Sequence, residues 1–309
     1  MNPLAAPAKQ PVSLRILGSA AGGGFPQWNC RCPCCDLAWR GDRRVIARTQ
    51  SSIAVQGRDG DWVVVNASSD IRQQIAAHPA FAPRELRDSP IVTVVLTNAD
   101  IDHVAGLLSL RERAPLRIYA TAPVQQSLFA NPIFSVLAAD VTEWITIAAD
   151  QSFVPVEDVV MLLHAVPGKV PLWSEAGEVR TDIEDGRTVG VAISGNGRTA
   201  HYVPGCATLT PDVMAWLAGS SLLMFDGTLF TDDEMLRLGL GLKTGRRMGH
   251  MPIDGEGGSL LALQELGIDR KVYVHINNSN PVLIEGSPER LKAEAAGWLI
   301  GADGMEFTL

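Results

Sequence analysis

The stretch Ile91-Val-Thr-Val-Val-Leu96 constrains this chain more than any other. A β-branched run without polar alternation reads as a strand buried on both faces, and such a strand needs layers packed on either side of its sheet. The run stops at Thr97-Asn-Ala-Asp-Ile-Asp-His103, after which Val104–Arg113 predicts a helix. An Asx turn plus a helix N-cap is the plain local reading, with Asp102 standing where it would cap that helix. One cap accounts for one aspartate. It does not account for an amide, two carboxylates and an imidazole within six residues at the end of a strand, a position from which loops commonly present a site.

Further strands are expected at Leu14–Leu17, Ser51–Val55, Trp62–Asn66, Arg117–Ala120, Val159–His164, Thr188–Ser194, Thr199–Val203, Leu222–Phe225, Lys271–His275 and Met305–Leu309. Helices are expected at Asp70–Ala77, capped by Ser69 or Asp70, at Glu256–Leu266, and from the Ser287 N-cap and Pro288 to Gly297. Strands, then strand–helix units, then strands again predict sheets with helices packed outside them. No fixed-period repeat and no Pro/Gly/Ser linker divides the chain. The expectation is one domain over residues 1–309, with 1–12 as a flexible lead-in and Gly168–Gly186 as the mobile loop.

At 309 residues, with 46% hydrophobic and 19% charged residues, the chain is not of disordered composition and has length for a large core. A net charge of −8 disfavours nonspecific binding to nucleic acid or anionic membrane. No apolar run reaches the roughly 18 residues of a membrane span, and the first residues lack a signal-peptide core. A cytoplasmic protein without nucleic-acid or membrane partners is expected.

Four of the five cysteines fall within six residues, at Cys30, Cys32, Cys34 and Cys35. That clustering suits a metal better than a disulfide framework. Thiolates on C-x-C and C-x-x-C loops can wrap one tetrahedral Zn²⁺, so a structural zinc on Cys30, Cys32 and Cys35 with a distant fourth ligand is expected. Cys34 is either spare or the ligand in place of Cys35, and Cys206 reads as a small buried hydrophobe. His164, Asp226 and His275 each follow an apolar strand, and Gly249-His250-Met251 precedes a helix. His78 stands at a helix end, where a protonated ring would suit the dipole, and His201 reads as a packing residue. Gly22-Gly-Gly24 has neither the Gly-Lys-Ser/Thr of a phosphate loop nor G-x-G-x-x-G spacing.

Together these residues resemble the metallo-β-lactamase superfamily, in its branch of tRNA 3′-processing nucleases and phosphonate-pathway phosphodiesterases, from about Leu14 to the C-terminus. The superfamily's His-x-His-x-Asp-His signature stands here as Asn98-Ala-Asp100-Ile-Asp102-His103, and His164, Asp226 and His275 fall at the later ligand positions. Gly249-His250 falls at the nuclease Gly-His motif. Within the superfamily, Gly18–Cys30, Asn98–Gly106, Met248–Pro252 and His275–Pro281 are similar to a family of pyrroloquinoline quinone (PQQ) biosynthesis proteins.

The resemblance implies an α+β fold, an αββα sandwich of two mixed β-sheets face to face with helices outside. It also implies a departure. Asn98 and Asp100 replace the two signature histidines of the first metal, and an amide and a hard carboxylate hold zinc poorly. The second position remains as Asp102, His103, Asp226 and His275, so one active-site metal is expected. Histidines with carboxylates resemble the ligand set of non-heme Fe(II) oxygenases, which implies Fe²⁺ and makes two-metal hydrolysis less favourable.

The implied reaction is Fe(II)/O₂-dependent hydroxylation of a tyrosine-derived PQQ precursor, itself made from a Glu- and Tyr-containing peptide. Asp100, His164 and His250 would orient substrate or move protons. O₂ and other PQQ-pathway proteins are the implied partners, and a homodimer is allowed. Two alternatives stand: a noncatalytic carrier involved in transport of PQQ or its precursor to the periplasm, and a metal-dependent hydrolase. The related phosphodiesterases complete their cysteine zinc with a histidine three residues beyond the last catalytic histidine. Here that position is Asn278, so Asn278, water or another side chain would be fourth ligand, and the zinc would tie the early loop to the His275–Asn280 loop.

Overall fold

The computed structural model describes residues 11–309. The first sheet takes β1 (Ser13–Gly18), β2 (Ser52–Gln56), β3 (Trp62–Val65), β4 (Ile91–Val95), β5 (Leu116–Ala120) and β6 (Thr142–Thr146). The second takes β7 (Ser152–Val156), β8 (Val159–Ala165), β9 (Val189–Gly195), β10 (Arg198–Val203), β11 (Leu222–Asp226), β12 (Lys271–Val274) and β13 (Trp298–Ile300). The last strand, β14 (Glu306–Thr308), returns to the first sheet beside β1.

The two sheets repeat one plan. From β14 to β3 and from β7 to β10 the neighbours run antiparallel, and from β3 to β6 and from β10 to β13 they run parallel. This is a repeat of topology that leaves no periodic trace in the sequence.

Alternation along the strands builds the layers. Leu14, Ile16, Ile53, Val55, Val63 and Val65 of the first sheet meet Met161, Leu163, Val191, Met224, Val272 and Val274 of the second in one core between the sheets. The intervening Ala54, Val64 and Val94 face outward under the helices of the first sheet, and Leu223, Phe225 and Tyr273 face outward under those of the second. The expected αββα sandwich of mixed sheets is therefore present, and β4 is buried on both faces as its composition demands.

Several local expectations are corrected. Residues 1–10 of the expected flexible lead-in lie outside the described residues, but Val12 is buried in the intersheet core and its carbonyl accepts from Leu309 N at 3.0 Å. The helix expected at Val104–Arg113 starts earlier, at Ile101–Val104, and tightens into a 3₁₀ segment at Ala105–Leu110. The backbone at the join is diverted: Ala67 N donates to His103 O and Gly106 N donates to Ala67 O. A Cβ at Gly106 would lie 2.1 Å from Ser68 O, so glycine permits this approach. Asp100, not Asp102, holds the N-cap position.

The Asp70 side chain leaves its own helix, Ile71–Ala76, uncapped and accepts from Gln50 N instead. The helix expected at Glu256–Leu266 shrinks to Ser259–Ala262, because Ser259 N and Leu260 N bond to Pro252 and Ile253 carbonyls. His78 is no helix-end cation: Arg15 lies 2.8 Å from its Nδ1, and burial together with the Arg15 charge lowers its pKa.

Candidate metal centres

Parallel strands of both sheets deliver polar residues to one seam. From the first sheet, the turn after β4 carries Asn98, Asp100, Asp102 and His103. From the second, β11 ends in Asp226, and His275 follows β12 with a left-handed φ of +55°. A non-glycine residue in that region costs on the order of 1–3 kcal/mol, which the surrounding structure must offset, and such outliers concentrate at functional sites.

Asp102, His103 and His275 bring three ligand atoms within 4.8 Å of one another. His275 Nε2 lies 3.2 Å and His103 Nε2 3.7 Å from Asp102 Oδ2. Burial raises the Asp102 pKa, but the two imidazoles outweigh it and hold the carboxyl below its usual range. Burial dominates at His103 and lowers its pKa, so the ring is neutral at pH 7. His103 Nε2 is buried without a hydrogen-bond partner. An orphaned neutral nitrogen beside an ionised carboxylate is a fitting donor set for a divalent cation.

Two threonines orient the rings. Thr97 Oγ1 lies 3.3 Å from His103 Nδ1, and it also accepts from Asn66 Nδ2 at 2.9 Å and can donate to Asn66 Oδ1 at 3.1 Å. Thr228 Oγ1 lies 2.9 Å from His275 Nδ1 and donates to Asp226 Oδ1 at 2.7 Å. With each hydroxyl proton drawn off by an acceptor, each threonine oxygen accepts from the Nδ1–H of its histidine. In the neutral rings that tautomer leaves both Nε2 lone pairs for a metal. Burial lowers the His275 pKa, but the Asp102 carboxylate outweighs burial and raises it, so a metal would displace a proton there. The sequence reading missed Thr97, Asn66 and Thr228. The signal available was the Asp226-Gly-Thr228 turn at a strand end.

Asp226 does not join that cluster as expected. Its Oδ1 accepts from Thr228 N and Oγ1, and its Oδ2 accepts from Cys206 N and pairs with His250 Nδ1 at 2.8 Å. It forms instead a second, overlapping group with His250 and His275. Gly249, at φ +91°, ends the short helix Gly245–Met248 and turns the chain so that His250 reaches Asp226.

Asn98 and Asp100 line the same cavity, of about 460 Å³, with Asp102, His250 and His275. Asn98 Oδ1 accepts from Asp100 N in the expected Asx turn. The segment expected to be mobile is docked here: Leu172 N donates to Asp100 Oδ1, and Trp173 Nε1 donates to Ala99 O.

His164 is the predicted site residue that the structure sets apart. Leu163 points into the intersheet core, so its neighbour His164 points to the outer face of the second sheet. There it pairs with Asp150 at 2.6 Å and stacks on Trp216 at 4.5 Å. Strand parity corrects its expected role beside the ligands. His201 packs against the same Trp216, as a packing residue would.

The cysteine cluster lies beyond β1. Cys30, Cys32 and Cys35 bring three sulfurs within 4.8 Å, and the Asn278 amide caps them. Asn278 Nδ2 donates to Cys30 at 3.1 Å and to Cys35 at 3.3 Å, and lies 3.7 Å from Cys32. Cys34 stands outside this three-sulfur group, between Cys32 and the carbonyls of Ser279 and Asn280. Hydrogen bonds from Cys34 and neighbouring groups hold the Cys32 thiol down to about 5 despite burial, while burial pushes Cys35 up to about 12. The set is three sulfurs and one amide, whose oxygen can replace its nitrogen by rotation, which suits a structural zinc.

With this geometry established, known proteins place it. Residues 61–276 match the profile described as the beta-lactamase superfamily domain. The chain is 55% identical to coenzyme PQQ synthesis protein B of Methylobacterium nodulans, over 95% of this chain and 99% of that protein. It is 52% identical to the protein of the same name from Rhizobium meliloti, over 95% and 97%. The crystal structure of Zn²⁺-bound PqqB from Methylobacterium extorquens superposes with a TM-score of 0.94 at 53% identity, covering 96% of this chain and all of that one. A diphosphatase of the PhnP family shares the fold at 18% identity and a TM-score of 0.67, covering 97% of this chain and 98% of that one.

Proposed function

This chain belongs to the coenzyme PQQ synthesis protein B family of the beta-lactamase superfamily and acts in PQQ biosynthesis, and from that premise we propose that it is an Fe(II)/O₂-dependent hydroxylase of a tyrosine-derived PQQ precursor. The observation that carries the reading is the Asp102–His103–His275 triad, of which Asp102 and His275 line the cavity, while Asn98 and Asp100 offer no matching histidines. Two imidazoles and one carboxylate with open positions make a site suited to Fe²⁺. A bound ferrous ion would supply O₂ activation.

The chain's own residues divide the remaining work. Asp102, His103 and His275 hold the metal. Asp226 fixes His250 through Nδ1 and leaves Nε2 to take or give a proton. Asp100 and Asn98 shape the cavity floor and orient substrate. A structural Zn²⁺ on Cys30, Cys32 and Cys35, with Asn278 in fourth position, would brace the loop that follows His275. The zinc-bound relative at 53% identity supports a zinc site in this family. We read the chain as one cytoplasmic domain. No helix among its described residues is long and apolar enough to cross a membrane, so as a carrier it could hold PQQ but not move it across a bilayer unaided.

The test is metal stoichiometry and oxygen consumption after anaerobic loading with Fe(II), in wild type and His103→Ala. The expected result is one zinc and one iron in wild type, with iron and turnover lost and zinc kept in the variant. One zinc and no second metal under any loading would favour the carrier. Turnover of a hydrolysable substrate with two metals in the open centre would favour the hydrolase.

A further inference from the structure

The cavity lined by Asp102 and His275 has a second, cationic pole. Lys169 enters it from the segment that docks on the Asn98–Asp100 turn, and Lys243 enters from the segment before Gly249-His250. Arg247 stands beside them. All three converge on a single acid, Glu175, whose side chain is 11% exposed: Lys243 Nζ lies 2.9 Å from Oε2, Arg247 Nη2 lies 3.2 Å from Oε2, and Lys169 Nζ lies 3.3 Å from Oε1. Burial raises the Glu175 pKa, but the three donors overcome it and hold the carboxyl at about 2.

One carboxylate against three cations leaves a net charge of +2. Asp100, 3.9 Å from Lys169, reduces this to +1 and already accepts from Leu172 N. Arg247 Nη1 and Glu175 Oε1 are both buried without a hydrogen-bond partner, the latter only ion-paired with Lys169. A structural ion network on an outer surface would leave its excess charge to water. Here Lys169 is only 11% exposed, and both lysines line the same cavity as Asp102 and His275. An excess of cations at a cavity wall, with Lys169 buried and Lys243 and Arg247 each about one-third exposed, favours an anionic ligand, since hydrogen bonds to a carboxylate are strengthened by the charge on both partners.

We propose that Lys169 and Lys243, backed by Arg247, form a carboxylate-binding pole that orients the substrate with its ring toward Asp102, His103 and His275. The inference rests on the reading of this cavity as the substrate site, and it deepens that reading. The ligand class is an aromatic compound bearing carboxylates away from the reacting ring. In a precursor made from glutamate and tyrosine, the glutamate-derived acids meet the lysines and the tyrosine-derived ring meets the metal ligands. Glu175 fixes the spacing of the lysines without neutralising them.

The probe is PQQ itself, compared with its trimethyl ester, titrated calorimetrically into the full-length, metal-loaded protein. Wild type is expected to bind the tricarboxylate at least tenfold more tightly than the ester. Lys243→Gln and Lys169→Gln should each weaken PQQ binding about tenfold. Ester affinity and metal content should stay within twofold of wild type, which separates loss of charge recognition from loss of fold. Equal affinity of wild type for acid and ester, or lysine variants that keep their PQQ affinity within twofold, would overturn the clamp and leave the metal-site reading intact. A wild type with full metal content that binds neither compound would overturn both.

Discussion

The cysteine cluster and the Asp/His cluster are both suited to a metal, yet they are assembled by different routes. Cys30, Cys32 and Cys35 lie within six residues, where a turn and the first turn of the helix Pro33–Trp39 bring the sulfurs together. Only Asn278 comes from far away. Asp102 and His275 are 173 residues apart and belong to different sheets, so their contact exists only where the ends of β4 and β12 meet across the seam. The first is a soft, four-cornered set that joins two loops. The second has three donors, an open cavity, and threonines that hold its rings without a metal. Metal loss should therefore unfasten structure at the cysteines and abolish function at the seam.

The largest expected effect tests that contrast directly. Cys32→Ser should lose zinc and lower the melting temperature by about 6 °C, equivalent to a loss of about 4 kcal/mol. His103→Ala should lose the seam metal with less than half that shift. The reverse ranking, measured by metal analysis and calorimetry, would break the comparison. Next is Thr228→Val, which removes the acceptor for His275 Nδ1–H and should weaken seam-metal affinity about 10- to 100-fold. Thr228→Ser should restore it, and zinc at the cysteines should not change.

Acid sharpens the contrast on the side of the cavity. Glu175 has a folded pKa of about 2 against an ordinary 4.5, so its contribution is present above pH 4.5 and lost as pH falls toward 2. The contribution is at most about 3 kcal/mol. Glu175→Gln should flatten the acid limb of a denaturation series across that window. A limb unchanged by the substitution would remove Glu175 as the hub of the cationic pole. The smallest effect belongs to His164→Ala. It should leave both metal contents and turnover unchanged and cost about 1 kcal/mol from its lost packing on Trp216 and pairing with Asp150. Loss of the seam metal in that variant would return His164 to the site.

Legibility followed buried apolar area. Strands buried on both faces, such as β4, β11 and β12, carry unbroken apolar runs and could be read directly. The three missed strands, β6, β7 and β13, are all sheet edges. They are short or half exposed, so no long apolar run marks them. The two misjudged helices failed where backbone groups found partners outside the helix: His103 and Gly106 with Ala67, and Ser259 and Leu260 with the Pro252–Ile253 carbonyls. Local propensity is a weak guide once such tertiary bonds compete.

The candidate site divides along the same line. The sequence by itself determined the clustered cysteines, the Asn98–His103 turn at the end of a buried strand, and the loss of the signature histidines at Asn98 and Asp100, because these depend only on neighbours along the chain. Only the tertiary structure decided that Asn278 caps the sulfurs, that Asp226 turns to His250, that His164 faces away, and that Lys169, Lys243 and Glu175 share a cavity with Asp102 and His275. Each of those outcomes rests on strand parity, sheet-to-sheet packing or a hydrogen-bond partner more than twenty residues away, and no local pattern encodes them.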